Sequence, residues 1–146
     1  MEAPDLTARV KDHLRRQRIW CEESLAELDR LLAGLSGETA EEFAARQNER
    51  EALLIHLTRE HRGLLHEWRQ AGHIEEAERA AVRALWGQIE TLNEQLRLRY
   101  EEAVRSVDRE LGANAAAANG LRRGRNMMGK YRPGDTDEPG FIDTKA

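Results

Sequence analysis

Val10, Leu14, Cys21, Leu25, Leu28, Leu32 and Leu35 recur at intervals that place them on one face of a helix. The opposite face carries Arg15, Arg16, Glu23, Glu27 and Arg30. Asp5 is suited to cap this first helix, because its carboxylate accepts from backbone N–H groups that have no helical partner. The predicted span is about residues 5–33, and the two glycines of GLSGET end it. Thr39-Ala40-Glu41-Glu42 then reads as a capping box. It opens a second helix over about residues 39–71, with the stripe Phe43, Gln47, Leu54, Leu57, His61, Leu64 and Trp68. Ala71-Gly72 closes it, with Gly72 suited to a left-handed terminal position.

A third stripe runs through Ile74, Ala81, Leu85, Ile89, Leu92, Leu96, Tyr100, Ala103, Val107 and Leu111. Many of its members repeat after about eleven residues, which keeps a stripe nearly straight instead of winding it left-handed. Glu75, Glu76 and Glu78 favour the positive end of its dipole. The predicted helix spans about residues 74–119, or continues to 128. Pro4, Pro133 and Pro139 all lie outside the helical region. Short connections between long helices make antiparallel neighbours. The expected fold is all-α: an elongated, coiled-coil-like antiparallel three-helix bundle over residues 1–128, with a long third helix and a disordered tail over 129–146.

The third helix is the longest, well over 60 Å if it continues through the alanine run, against roughly 45 Å for the others. Its end is therefore expected to project past the bundle. Leu111, Ala115, Ala118, Leu121 and Met128 fall on one face there, with the adaptable Met127 beside them. Gly112, Gly120 and Gly124 each weaken the helix by about 1 kcal/mol, so the end is expected to order on a partner.

Composition narrows the function. Charged residues make up 34% of the chain and the net charge is −4, so a general attraction to nucleic acid is not expected. The basic cluster Arg122, Arg123, Arg125, Lys130 and Arg132 fits an acidic patch on a protein better than a phosphate backbone, since only Tyr131 is there to stack on a base. The single Cys21 has no internal disulfide partner. MEAPDLTARVKDHLRR lacks an apolar leader core, and no run approaches the ~20 apolar residues of a membrane span. These features predict a soluble, cytoplasmic protein without membrane insertion.

No catalytic, metal or cofactor site is expected. His56, His61 and His66 step by five and do not share a face, and neither HExxH nor ExxH occurs. His61, on the apolar stripe, reads as a core residue. The carboxylates lie near arginines at helical spacing, as in Glu42 with Arg46 and Glu101 with Arg105, which is how solvated faces look. Trp20, Trp68 and Trp86 read as packing residues.

EEFAARQNEREALLIHL, LNEQLRLRYEEAVRSVDREL and the ending YRPGDTDEPGFIDTKA together resemble the FlgN-type flagellar export chaperones. The resemblance covers most of the chain as a pattern, and the alanine–asparagine stretch at 114–119 departs from it. It implies a cytoplasmic chaperone that holds hook-filament junction (hook-associated) subunits before type III export. The client's terminal helix would pack on the C-terminal segment, here Leu111, Ala115, Ala118, Leu121, Met127 and Met128. No ATP and no covalent step would be needed. The competing class is a structural coiled-coil adaptor, in which the overhang pairs with a second copy. Monomer and homodimer both remain open.

Overall fold

The computed structural model describes residues 5–32, 40–109 and 115–130. About 94% of these are helical, and no strand occurs among them. Among the described residues there are four helices instead of three: α1 Leu6–Leu32, α2 Ala40–Gln70, α3 Glu76–Arg109 and α4 Ala115–Lys130.

The local signals mostly act as their chemistry requires. Asp5 caps α1, with its Oδ1 accepting from the Thr7 N–H at 3.2 Å. The α3 start shifts from Ile74 to Glu76, where the Glu75 carbonyl accepts the N–H groups of Glu78 and Arg79, each at 3.0 Å. Gly72 does not take the left-handed conformation expected of it. The end of α2 tightens instead, with the Ala71 N–H on the Trp68 carbonyl at 3.3 Å. The capping box at 39–42 and the GLSGET loop fall on or beside undescribed residues, and the tail 131–146 lies outside the described residues.

α1 is the shared neighbour of α2 and α3. Arg9 meets Glu67 at 2.9 Å, Arg16 meets Glu60 at 2.8 Å, and Glu27 meets Arg46 at 3.0 Å, so α2 runs opposite to α1. Thr7 donates to Glu78 at 3.1 Å, Cys21 to Asn93 at 3.3 Å, and Arg99 pairs with Asp29 at 2.9 Å, so α3 runs with α1. No Cα of α2 lies within 8 Å of one of α3, which leaves a groove between them on the side away from α1.

The main correction concerns the third helix. It is described as far as Arg109, and a separate helix, α4, begins at Ala115 and lies back on α2 and α3. A straight continuation would leave Leu121 and Met128 in water, and burying each is worth roughly 1.5–3 kcal/mol. Gly112 and Asn114, which lie between Arg109 and Ala115 in the sequence, are poor helix formers.

The core has two parts. One joins Trp20, Cys21, Leu28, Leu54, Leu57, Leu96, Tyr100, Ala103 and Val104 to Leu121 and Met128 of α4. The other joins Val10, Leu14, Leu64, Leu65, Trp68, Val82, Trp86 and Ile89, from the first three helices alone. The tryptophans are thus divided, Trp20 in one part and Trp68 and Trp86 in the other. Glu27, expected on the solvent face, is buried among Arg30, Arg46 and Arg50, with nearest N–O distances of 3.2, 3.0 and 4.0 Å. A buried carboxylate is tolerable because these guanidinium groups compensate it.

Candidate partner-binding site

Part of the predicted overhang is the helix α4, and it is covered at Leu121 and Met128. Leu121 is 0% and Met128 4% exposed, and the half-buried Met127 packs on the same cluster. Ala115 and Ala118 belong to the first turn of α4, and Leu111 lies outside the described residues. Leu121, Met127 and Met128 do come together, but against the chain's own α2 and α3. The exposed docking face expected from the length argument is therefore corrected at Leu121, Met127 and Met128, which already have neighbours.

Two glycines shape the contact. An added β-carbon on Gly120 would touch the Gln47 side chain at 3.5 Å. One on Gly124 would fall into the Tyr100 ring, 2.7 Å from Cζ, closer than real side chains come. The glycines cost helix stability, but they let Gln47 and Tyr100 lie directly on the α4 backbone. The Tyr100 hydroxyl donates to Gln47 Oε1 at 3.4 Å, and burial pushes its pKa up to about 12, so it stays a neutral donor.

Arg123 fixes the outer edge. Its Nε donates to Glu51 Oε2 at 3.0 Å and its Nη2 to Asn48 Oδ1. With Gly120 over Gln47 and Arg123 over Glu51, α4 runs in the same direction as α2. A shallow open crevice runs along the seam, between Trp20, Leu54 and Tyr100 on one side and Gly124 and Met127 on the other. Arg122 and Arg125 are half-buried, so part of the basic cluster belongs to the seam. Beneath the seam the Trp20 indole donates to the Arg50 carbonyl at 3.1 Å, and Arg50 donates to Ser24 Oγ at 3.3 Å.

The second polar feature is a histidine pair between α1 and α2. His13 Nδ1 lies 2.5 Å from Glu60 Oε1, and Arg16 holds the same carboxylate. Burial lowers the His13 pKa despite Glu60. Burial alone would raise Glu60, yet the hydrogen bonds from His13 and Arg16 hold it below the usual range. The His61 ring stacks on Trp86 at 5.0 Å and lies 5.5 Å from His13. Burial pushes the His61 pKa down to about 3, helped by the nearby guanidinium groups of Arg62 and Arg69, and by His13 whenever that ring is protonated. Both rings are neutral near pH 7 and act as core. Among the described residues no group of three or more His, Cys, Asp or Glu is arranged to hold a metal ion.

The sequence did not single out Gln47, Tyr100, Gly120 and Gly124 as one contact. The available signal was the four-residue spacing of the glycines, which sets them on one helix face. No protein-family model, no curated protein and no solved structure matches this chain. No helix among the described residues is long and apolar enough to cross a membrane. Fold and site thus define an all-helical bundle whose last helix is laid into a groove between two others.

Proposed function

We propose that this protein is a non-enzymatic cytoplasmic chaperone of the FlgN type. It would bind the terminal helix of a hook-filament junction subunit before type III export. The observation that carries the reading is α4 itself, a short amphipathic helix with Leu121 and Met128 buried in the α2–α3 groove. This is helix-in-groove recognition made within one chain. The client would engage the same apolar face, Leu111, Ala115, Ala118, Leu121, Met127 and Met128, once α4 leaves the groove. Gly120 and Gly124 keep α4 a weak helix by itself, which favours exchange. Such capture would shield the client's polymerisation surface without ATP.

Gly124→Ala tests the reading, because it raises helix propensity while placing a β-carbon against Tyr100. Calorimetry with a hook-junction terminal-helix peptide should show binding to the native chain. It should be about tenfold tighter to Gly124→Ala, if about 1.4 kcal/mol of docking is lost, and absent with Leu121→Asp. Failure of all three chains to bind any hook-junction subunit would sink the proposal. In the adaptor alternative, α4 enters the groove of a second copy, and sedimentation would show a tight dimer that depends on α4.

A further inference from the structure

The groove that holds α4 continues beyond it. The register of Gly120 on Gln47 and Arg123 on Glu51 places Lys130 at about the level of Thr58. α2 then extends to Gln70, about 18 Å further at the helical rise. The face under α4 is prolonged on α2 through Thr58, Arg62, Leu65 and Arg69, spaced by three and four. On α3 the face below Tyr100 is prolonged in the same way through Trp86, Arg83 and Arg79. Leu65 and Trp86 form its buried floor, and the stack of His61 on Trp86 closes the gap between the helices.

The charge along this path becomes more basic. Under α4 the groove offers Glu51, which meets Arg123, with Arg50 beside it. Beyond α4 it offers Arg62, Arg69, Arg79 and Arg83, with Arg62 and Arg69 exposed. Of the acids on that stretch, Arg83 holds Glu76 at 2.6 Å, Glu75 lies beside His73, Glu90 is half-buried, and Glu60, Glu67 and Glu78 face α1. The positive field of Arg62 and Arg69 is felt at His61, whose proton they help to expel. The chain that leaves α4 changes in the opposite sense: Arg122, Arg123 and Arg125 lie within α4, and Asp135, Asp137, Glu138 and Asp143 follow it.

We propose that the acidic segment Asp135–Asp143 of the same chain docks along the α2–α3 groove beyond α4, against Arg62, Arg69, Arg79 and Arg83. The acidic segment thus covers the basic stretch that the basic helix leaves open. This does not depend on the chaperone reading: it needs only the direction of α4 and the two charge patterns. The contact is electrostatic, so salt weakens it, with a screening length of about 10 Å at 0.1 M and 3 Å at 1 M.

Thr144→Cys supplies a thiol for a nitroxide label on the full chain. Native Cys21 stays unreactive, because it is buried and its pKa is pushed up to about 12. At low salt the label should cost amide NMR peaks at 62–69 and 79–83 their intensity. Charge reversal of Asp135, Asp137 and Glu138 to Lys should restore those peaks. Adding Arg62→Glu, Arg69→Glu and Arg79→Glu to that variant should bring the loss back. The proposal is overturned if these peaks keep their intensity in the native chain, or if the loss survives charge reversal. It is equally overturned if the loss appears when a labelled chain is mixed with a separate isotope-enriched one, because the segment would then belong to a second copy.

Discussion

The two ends of the bundle are built by different means. Where Leu121 and Met128 enter the core, four helices surround the interior, and two glycines allow the fourth to lie close. At the other end three helices suffice, because Trp68, Trp86 and His61 are large enough to span the gap between α2 and α3. The same pair of helices is thus closed by an added helix at one end and by aromatic bulk at the other. The first closure depends on a helix whose contacts are with α2 and α3, so it is expected to open by itself. The second is continuous with the core and opens only with it.

Ile89→Ala should make the sharpest break in the three-helix end. Ile89 is 1% exposed, and such a truncation costs about 2–5 kcal/mol, read as a drop in the denaturant midpoint of the whole chain. Acid should act on the same end. The His61 pKa is held near 3 in the folded chain against 6.5 ordinarily, so between these values only the unfolded chain takes up the proton. The contribution is complete above about pH 6.5 and declines as pH falls, by about 2 kcal/mol at about pH 5. His61→Phe, which keeps a ring beside Trp86, should flatten that part of the stability–pH curve. A curve of unchanged slope would show that His61 titrates in the folded chain.

Gly124→Ala should affect the four-helix end alone, at about 1–3 kcal/mol, the usual range for forcing extra volume into a packed contact. Hydrogen exchange should then speed up across α4 while amides around Ile89 keep their protection. Equal acceleration at both ends would mean that they open as one unit. Arg123→Glu should have the smallest effect. Its ion pair with Glu51 is 44% and 31% exposed, and the loss should stay below about 1 kcal/mol in the same exchange measurement.

The all-helical fold was legible because a helical period runs along α1, α2 and α3, and because Asp5 caps α1. Asp5, the α1 and α3 stripes, and His61 as a core residue could all be read locally. The return of α4 could not. A run of alanines continues a helix as readily as it starts a new one, and Gly112 with Asn114 is a weak stop signal. The decisive term is the burial of Leu121 and Met128, which depends on a groove that exists only after α1, α2 and α3 are assembled. Glu27 was misplaced for a related reason. Its three arginine neighbours come from its own helix and from another, and spacing along α1 reveals only Arg30. For the binding site, the sequence pointed to the right segment and to Leu121, Met127 and Met128 as a group. It could not show that this group is already occupied.

Thr7, His13, Gln17, Ser24 and Glu27 place buried polar groups at intervals along the whole of α1. Greasy stripes alone would let one rod slide past another by a turn at little penalty. Here such a slip would separate Thr7 from Glu78, His13 from Glu60, Cys21 from Asn93 and Glu27 from Arg46 together. The first helix therefore serves the molecule as a ruler, and its notches set where every later segment must stand.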